Sequence, residues 1–374
     1  MKINGTAYRS VWVDTEDSWS VHILDQTKLP WSLDVVRLVT RDQAAHAISS
    51  MQARGAPLIG AVAAYALCLA LRNDASTEAM ERDAELIGAT RPTAVNLRWA
   101  LERMLTRLRN TLPSERVAVA YEEAALIADE DVARNEAIGR HGLPLIQAAA
   151  RQPRCMGRPL GRPLGHAVNV LTHCNAGWLA TVDWGTALAP IYAAFNAGID
   201  LHVWVDETRP RNQGAALTAW ELGKHGVPHT VVADNAGGHF MQHGMVDLVI
   251  VGADRVTRTG DAANKIGTYL KALAARDNDV PFWVAMPSST IDWTVSDGVA
   301  EIPIEQRAAA EVTDMTGQMA DGTIATMRVV ATDSRAANPA FDVTPARLVT
   351  GLITERGCCA ASAEGLLALF PERR

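Results

Sequence analysis

VNVLTHC (residues 168–174) is the first of five strand-like apolar runs that follow one another from residue 168 onward. LHVWVDET (201–208), HTVVADN (229–235), DLVIVGADRV (247–256) and FWVAMP (282–287) are the others. Short runs of this kind, rich in Val and bounded by turn-prone residues, read as buried strands. Helix-like segments separate them: 183–198, 214–226, 237–244 and 264–277. The alternation predicts βαβ units and a parallel sheet covered by helices. In open parallel sheets, ligands bind beyond the carboxyl ends of the strands. Those ends carry Cys174, Asp206, Glu207 and Asp254 here. A site is therefore expected at the strand tips, with the thiol of Cys174 in it.

The sequence before this region has another texture. AYRSVWV, WSVHILDQ and WSLDVVRLV, within residues 7–39, read as three short antiparallel strands. Thr40 and Gln43 have capping-box spacing, with Ala44, Ala47, Ile48 and Met51 following at helical intervals. Gly55 suits the end of that helix, and Pro57 the first turn of the next. A third helix is expected from Arg91, with a stripe of Leu97, Leu101, Leu105 and Leu108, and a fourth over 114–142. Residues 151–166 contain GRPLGRPLG and read as a linker. The expected class is α/β. It comprises an N-terminal helical domain with a small antiparallel sheet (1–150), the linker (151–166) and a C-terminal Rossmann-like domain with a parallel sheet (167–374).

Composition narrows the function. The 374 residues suffice for two or three domains with a real core. A net charge of −7 argues against a general nucleic-acid binder. The longest uncharged run, Ala56–Leu71, is too short to span a bilayer and reads as a buried helix. No apolar signal core opens the chain, and the five cysteines form neither a paired framework nor a CxxC. A cytoplasmic, reduced protein without membrane contact or structural zinc is expected. His239 and His243 are four residues apart but lack the acid of HExxH, so no metal is expected. Neither GxGxxG after a strand nor GxxxxGK[ST] occurs, so nucleotide binding is unsupported.

Several side chains remain as candidates. A lone Cys is commonly just a buried apolar residue. Cys174, however, has polar neighbours, and Ala176-Gly177 keeps bulk away from it. A thiol in an apolar pocket stays protonated and can act as an acid. Asp254 follows Gly252-Ala253 at a strand end, where an Asp otherwise caps turns. Asn264, Lys265 and the following Ile-Gly precede a helix, a plausible anion site through free backbone N–H groups and an ammonium. Arg54 and Arg91 also precede helices; singly, each reads as a surface charge. Gln213 precedes another.

Long motifs then converge. RGAPLIG, TRPTAVNL, LTHCNAG, DETRPRNQGAALTAWEL, GADRVTRTGDAANKIGTYLKALAA, VAMPSSTID and NPAFDVTPARLVTGLITERG occur in order along the chain. Together they resemble the 5-methylthioribose-1-phosphate isomerases, a group within the superfamily of translation-initiation exchange-factor subunits. The resemblance implies a homodimer acting on a small sugar phosphate without a cofactor, in methionine salvage. It implies Cys174 and Asp254 as the catalytic pair. Arg54, Gly55, Ala56, Arg91, Gln213, Asn264 and Lys265 are implied as substrate contacts. The linker is longer than the resemblance leads one to expect. Two alternatives stay open: an isomerase of another pentose 1-phosphate (5-deoxyribose 1-phosphate or ribose 1,5-bisphosphate), and a non-catalytic regulatory subunit of the same fold.

Overall fold

A computed structural model of the chain describes residues 1–3, 5–91, 94–151 and 167–374. The expected linker lies outside these residues apart from Arg151, which ends a helix.

The three N-terminal strands form as expected: Val11–Val13, Val21–Leu24 and Val35–Leu38 pair antiparallel in that order. Helix α1 (Arg41–Ser49) starts on the expected capping box, with Thr40 and Gln43 each accepting from the other's backbone N–H. It stops earlier than the sequence suggests. Ser50 caps it and Met51 turns left-handed at φ 69°. Gly55 is therefore not its terminator. It is the N-cap of helix α2 (Ala56–Leu71), at φ 101°. A Cβ on Gly55 would lie 2.3 Å from the Ala180 carbonyl oxygen. Left-handed strain and this clash together make Gly55→Ala costly, by at least about 2 kcal/mol. Thermal unfolding of that variant is the check, and an unchanged Tm would contradict the contact.

Helix α2 buries fifteen of its sixteen residues, so its apolar character serves the core. No helix among the described residues is long and apolar enough to cross a membrane. Helix α3 (Thr77–Gly88) is an addition to the expected set: its sequence is polar, and its start is marked only by the Ser76 cap. Helix α4 (Val95–Leu108) buries Leu97, Leu101 and Leu108 as the stripe predicts. Helix α5 (Arg116–Arg151) runs on through Pro144, past the expected stop at Gly142. Gly142 is a contact point: a Cβ there would come within 2.4 Å of Pro190.

The C-terminal half is built on one seven-stranded sheet. Its strands are β1 (Val168–Thr172), β2 (Leu201–Asp206), β3 (His229–Val232), β4 (Leu248–Val251), β5 (Phe282–Ala285), β6 (Gly351–Thr354) and β7 (Gly357–Cys359). The order is β7-β6-β5-β4-β1-β2-β3, parallel throughout except for the β6–β7 pair. Alternate residues feed two cores. Val170, Val203, Ile250 and Ile353 pack on one face, where Ile138 and Ile146 of α5 join them. Leu171, Val249, Val284 and Leu352 pack on the other. Full burial of such a side chain contributes about 1.5–3 kcal/mol, which explains the near-continuous apolar runs. The α/β, Rossmann-like class read from the sequence holds.

Winding leaves β1 in one direction, toward β2 and β3, and β4 in the other, toward β5 and β6. The reversal falls between β1 and β4, which are neighbours through Val170–Leu248 and Leu171–Val249. A crevice opens at such a switch point. Cys174 follows β1 and Asp254 follows β4.

Candidate active site

Past β4 the chain enters a second, four-stranded sheet. Arg255–Thr257 pairs antiparallel with Ala262–Lys265, which pairs with Phe341–Thr344. The backbone N–H of Asp254 donates to Ala263 O at 2.9 Å, fixing the acid at the junction of the two sheets. Side chains alternate along Ala262–Lys265. Ala263 and Lys265 therefore face one cavity, whereas Asn264 faces away and donates to Thr268 Oγ1 at 3.0 Å.

Cys174, Asp254, Arg54, Gly55, Ala56, Arg91, Gln213 and Lys265 all line this cavity. Asn264 alone among the candidates does not. The remaining wall is largely apolar, with Met51, Ile59, Ile302, Ile304 and Phe341. Met51, Arg54 and Gln213 also border a second recess of about 530 Å³.

Cys174 is held in left-handed backbone at φ 65°. A non-glycine residue in that region costs of order 1–3 kcal/mol and persists only where its surroundings impose it. Two hydroxyls do so here. Cys174 N–H donates to Thr208 Oγ1 at 2.8 Å, and the Thr218 hydroxyl donates to Cys174 O at 2.7 Å. The thiol points at Gln213 Oε1, 3.6 Å away. Burial pushes the thiol's pKa up, against the pull of Arg54 and Lys265. Burial likewise raises the Asp254 carboxyl, while Lys265, Arg54 and Arg91 pull it down. Desolvation lowers the Lys265 ammonium, which lies 4.5 Å over the Phe341 ring. The cavity thus keeps a proton-bearing thiol and a carboxyl beside three cations.

The expected anion site at the helix after Lys265 takes a different form. That helix, Thr268–Asp277, has two N–H groups at its start already occupied. Asp342 accepts from Gly267 N at 2.7 Å and Tyr269 N at 3.1 Å. Those groups are not free for a ligand, and Lys265 acts from a strand. The uncapped start of α2 at Gly55 and Ala56 is the helix terminus that does line the cavity. Nε of Arg91 is buried without an acceptor among the described residues, while Nη2 lies 3.4 Å from Glu305. An orphaned donor on a cavity wall suits an incoming anion.

Asp206, one of the strand-end acids, is wholly buried and does not reach the cavity. His173 Nδ1 lies 2.9 Å and Lys271 Nζ 3.2 Å from its Oδ2. His173, Asp206 and Asp234 are the one cluster of potential metal-ligand atoms among the described residues, and Lys271 supplies the cation there by bonding Asp234 O as well. His173 Nε2 reaches Ile266 O at 2.8 Å, tying the residue before Cys174 to the residue after Lys265.

Gly177 has a different purpose from clearing space for the thiol. Its missing side chain admits Glu221, whose Oε1 would lie 1.7 Å from a Cβ there. Glu221 and Asn175 are absent from the sequence-derived candidates, and neither borders the cavity. The four described cysteines are free, as expected; Cys155 lies outside the described residues.

The sequence profile of the initiation factor 2 subunit family matches residues 52–361. A methylthioribose-1-phosphate isomerase of Acidiphilium cryptum is 67% identical over 373 residues, covering all of this chain and 98% of the relative. One from Gluconobacter oxydans is 64% identical, again over all of this chain and 99% of the relative. Among solved structures, 5-methylthioribose 1-phosphate isomerase from Pyrococcus horikoshii superposes with a TM-score of 0.81 at 37% identity, covering 98% of this chain and 97% of that one. A protein described as translation initiation factor eIF-2B, subunit delta, from A. fulgidus gives 0.78 at 36%, covering 98% and 100%.

Proposed function

The chain belongs to the initiation factor 2 subunit family, and on that premise we infer that it isomerises 5-methylthioribose 1-phosphate to 5-methylthioribulose 1-phosphate. It is an intramolecular oxidoreductase of methionine salvage. The observation that carries this reading is the meeting of Cys174 and Asp254 in one cavity with Arg54, Arg91 and Lys265. Identity of 60–67% to proteins named as this isomerase supports it independently. The apolar wall of Met51, Ile59, Ile302 and Ile304 suits a methylthio group better than a second phosphate. That weighs against a bisphosphate substrate. A homodimer in the cytoplasm is the setting this reading implies.

The substrate's anomeric oxygen carries phosphate, so its ring cannot open to a free aldehyde. Ring opening needs a proton on the ring oxygen. Cys174, kept protonated by burial, supplies it as the C1–O bond breaks. The bond's electron pair goes to the ring oxygen, and C1 gains oxocarbenium character. A hydride then moves with its electron pair from C2 to C1. The C2 hydroxyl gives its proton to the Asp254 carboxylate, leaving a C2 carbonyl. Asp254 returns that proton to Cys174 through solvent, and the cycle closes. Asn264 acts indirectly, by bracing Thr268 behind Lys265.

An isotope test separates this route from proton abstraction. Substrate deuterated at C2 is expected to yield product with the deuterium retained at C1, read by NMR or mass spectrometry. Loss of the label to water would place a base at C2 and overturn the hydride step. Absence of any turnover would favour the non-catalytic reading that the A. fulgidus neighbour suggests.

A further inference from the structure

We propose that Glu221, which does not touch the cavity, is a positioning residue that acts on the substrate's phosphate through Asn175 and Arg54. This rests on the isomerase reading of the site. Glu221 lies on the short helix Ala219–His225 and is wholly buried; Asn175 is 3% and Arg54 7% exposed. Arg54 clamps Asn175 twice, with Nη1 on Oδ1 and Nη2 on the backbone carbonyl at 2.7 Å. The Asn175 side chain is then fully committed. Its amide nitrogen donates to Glu221 Oε1 at 2.6 Å and to Thr218 Oγ1 at 3.1 Å.

The direction of the amide is what matters. An asparagine placed here could present either oxygen or nitrogen to Arg54. Nitrogen would repel the guanidinium, since both are donors. Glu221 removes that alternative, because its Oε1 demands the donor side. Its other oxygen faces Leu179 N–H at 3.4 Å, so acceptors are required on both sides. Gly177 is what lets the carboxyl come so close to the backbone. The order of causation runs from Glu221, to the amide orientation of Asn175, to the aim of the Arg54 guanidinium. The Thr218 hydroxyl, fixed by its bond to Cys174 O, completes the frame.

The contacts explain why a glutamine cannot substitute. Asn175 and the Leu179 N–H both offer donors; the Glu221 carboxyl, even carrying the proton that burial favours, keeps an acceptor lone pair on each oxygen, whereas the amide introduced by Glu221→Gln has one acceptor oxygen only. One donor–donor contact must remain, and Asn175 is then free to turn.

The test is a set of double-mutant cycles on steady-state kinetics with 5-methylthioribose 1-phosphate. Glu221→Gln and Asn175→Ala are each expected to raise KM about tenfold, with a smaller change in kcat. In the Arg54→Ala background, neither should change KM by more than about twofold, because the residue they aim is gone. KM penalties that persist undiminished in that background would show that Glu221 acts by general packing, and would overturn the proposal. Using two variants of different size guards against one that fails to fold, which circular dichroism would report. A wild-type chain that does not turn over this substrate would overturn the isomerase reading instead, so the two failures are told apart.

Discussion

Replacing Cys174 by serine, or Asp254 by asparagine, is expected to cut turnover by at least about 100-fold while leaving the fold intact. The two changes are nearly isosteric, so the packing of the strand tips survives them. The backbone bonds that place each residue also survive. Cys174 is gripped through its N–H and carbonyl by Thr208 and Thr218, and Asp254 through its N–H by Ala263. What is lost is proton chemistry. Serine is a much weaker acid than a thiol, and in this desolvated cavity it would hold its proton still more firmly. Asparagine cannot take the proton of the C2 hydroxyl at all. On the proposed route the two residues serve successive proton transfers of one cycle, so the double variant should be little worse than the poorer single one. Measured kcat, with thermal unfolding as the control for folding, decides the matter. Turnover within about threefold of wild type in either variant would remove that residue from the chemistry.

The place of these two residues at one cavity is legible without a structure because strand tips in a parallel sheet are marked twice in the sequence. The apolar run that each strand needs on both faces ends abruptly, and polar residues follow. VNVLTHC and LVIVGAD carry that signature plainly. The same signature brings in Asp206, which has the pattern but is buried against His173 and Lys271. An abrupt polar end shows where a strand stops and not what its acid will meet. Asn264 and the helix after it are misplaced for a related reason. AANK reads as a helix approach, whereas it forms a strand, and strand alternation turns Asn264 from the cavity. Asp342, which accepts from two N–H groups at that helix start, lies 75 residues from Gly267 in sequence, and no local pattern could announce it. Glu221 is the least visible of all. Within TAWELGKHG it resembles an exposed helical glutamate, yet the fold buries it completely and burial pushes its carboxyl up to about 8. Helix α3 does carry a helical signature, Met80, Ala84 and Ile87 at i, i+4 and i+7 behind the Ser76 cap, but the stripe is short and narrow.

Arg54→Ala and Lys265→Ala are each expected to weaken binding of the phosphorylated sugar about tenfold to a hundredfold. The chain's net charge of −7 offers a phosphate ester no general attraction, so local cations must supply it. A charge-assisted hydrogen bond to phosphate contributes about 1.5–3 kcal/mol, and about 1.4 kcal/mol corresponds to each tenfold in affinity. Both residues are more than nine-tenths buried, where solvent screens their charge little. They are also held ready before ligand arrives: Arg54 by Asn175, and Lys265 over the Phe341 ring. The two variants should differ in stability. Arg54→Ala strips Asn175 Oδ1 of its donor and should lower Tm. Lys265→Ala removes a partly desolvated charge and should lower it less. Turnover at saturation should fall in both, since on the proposed reading the phosphate also fixes C1 and C2 against Cys174 and Asp254. Non-additivity in the double variant would indicate that both cations grip one phosphate. Calorimetry with the phosphorylated and dephosphorylated sugars separates the effects. Lys265→Ala should leave the weak binding of the dephosphorylated sugar unchanged, because that ligand never used the ammonium. Wild-type affinity for the phosphorylated sugar in both variants would mean that the phosphate lies elsewhere, against Arg91 and the start of α2.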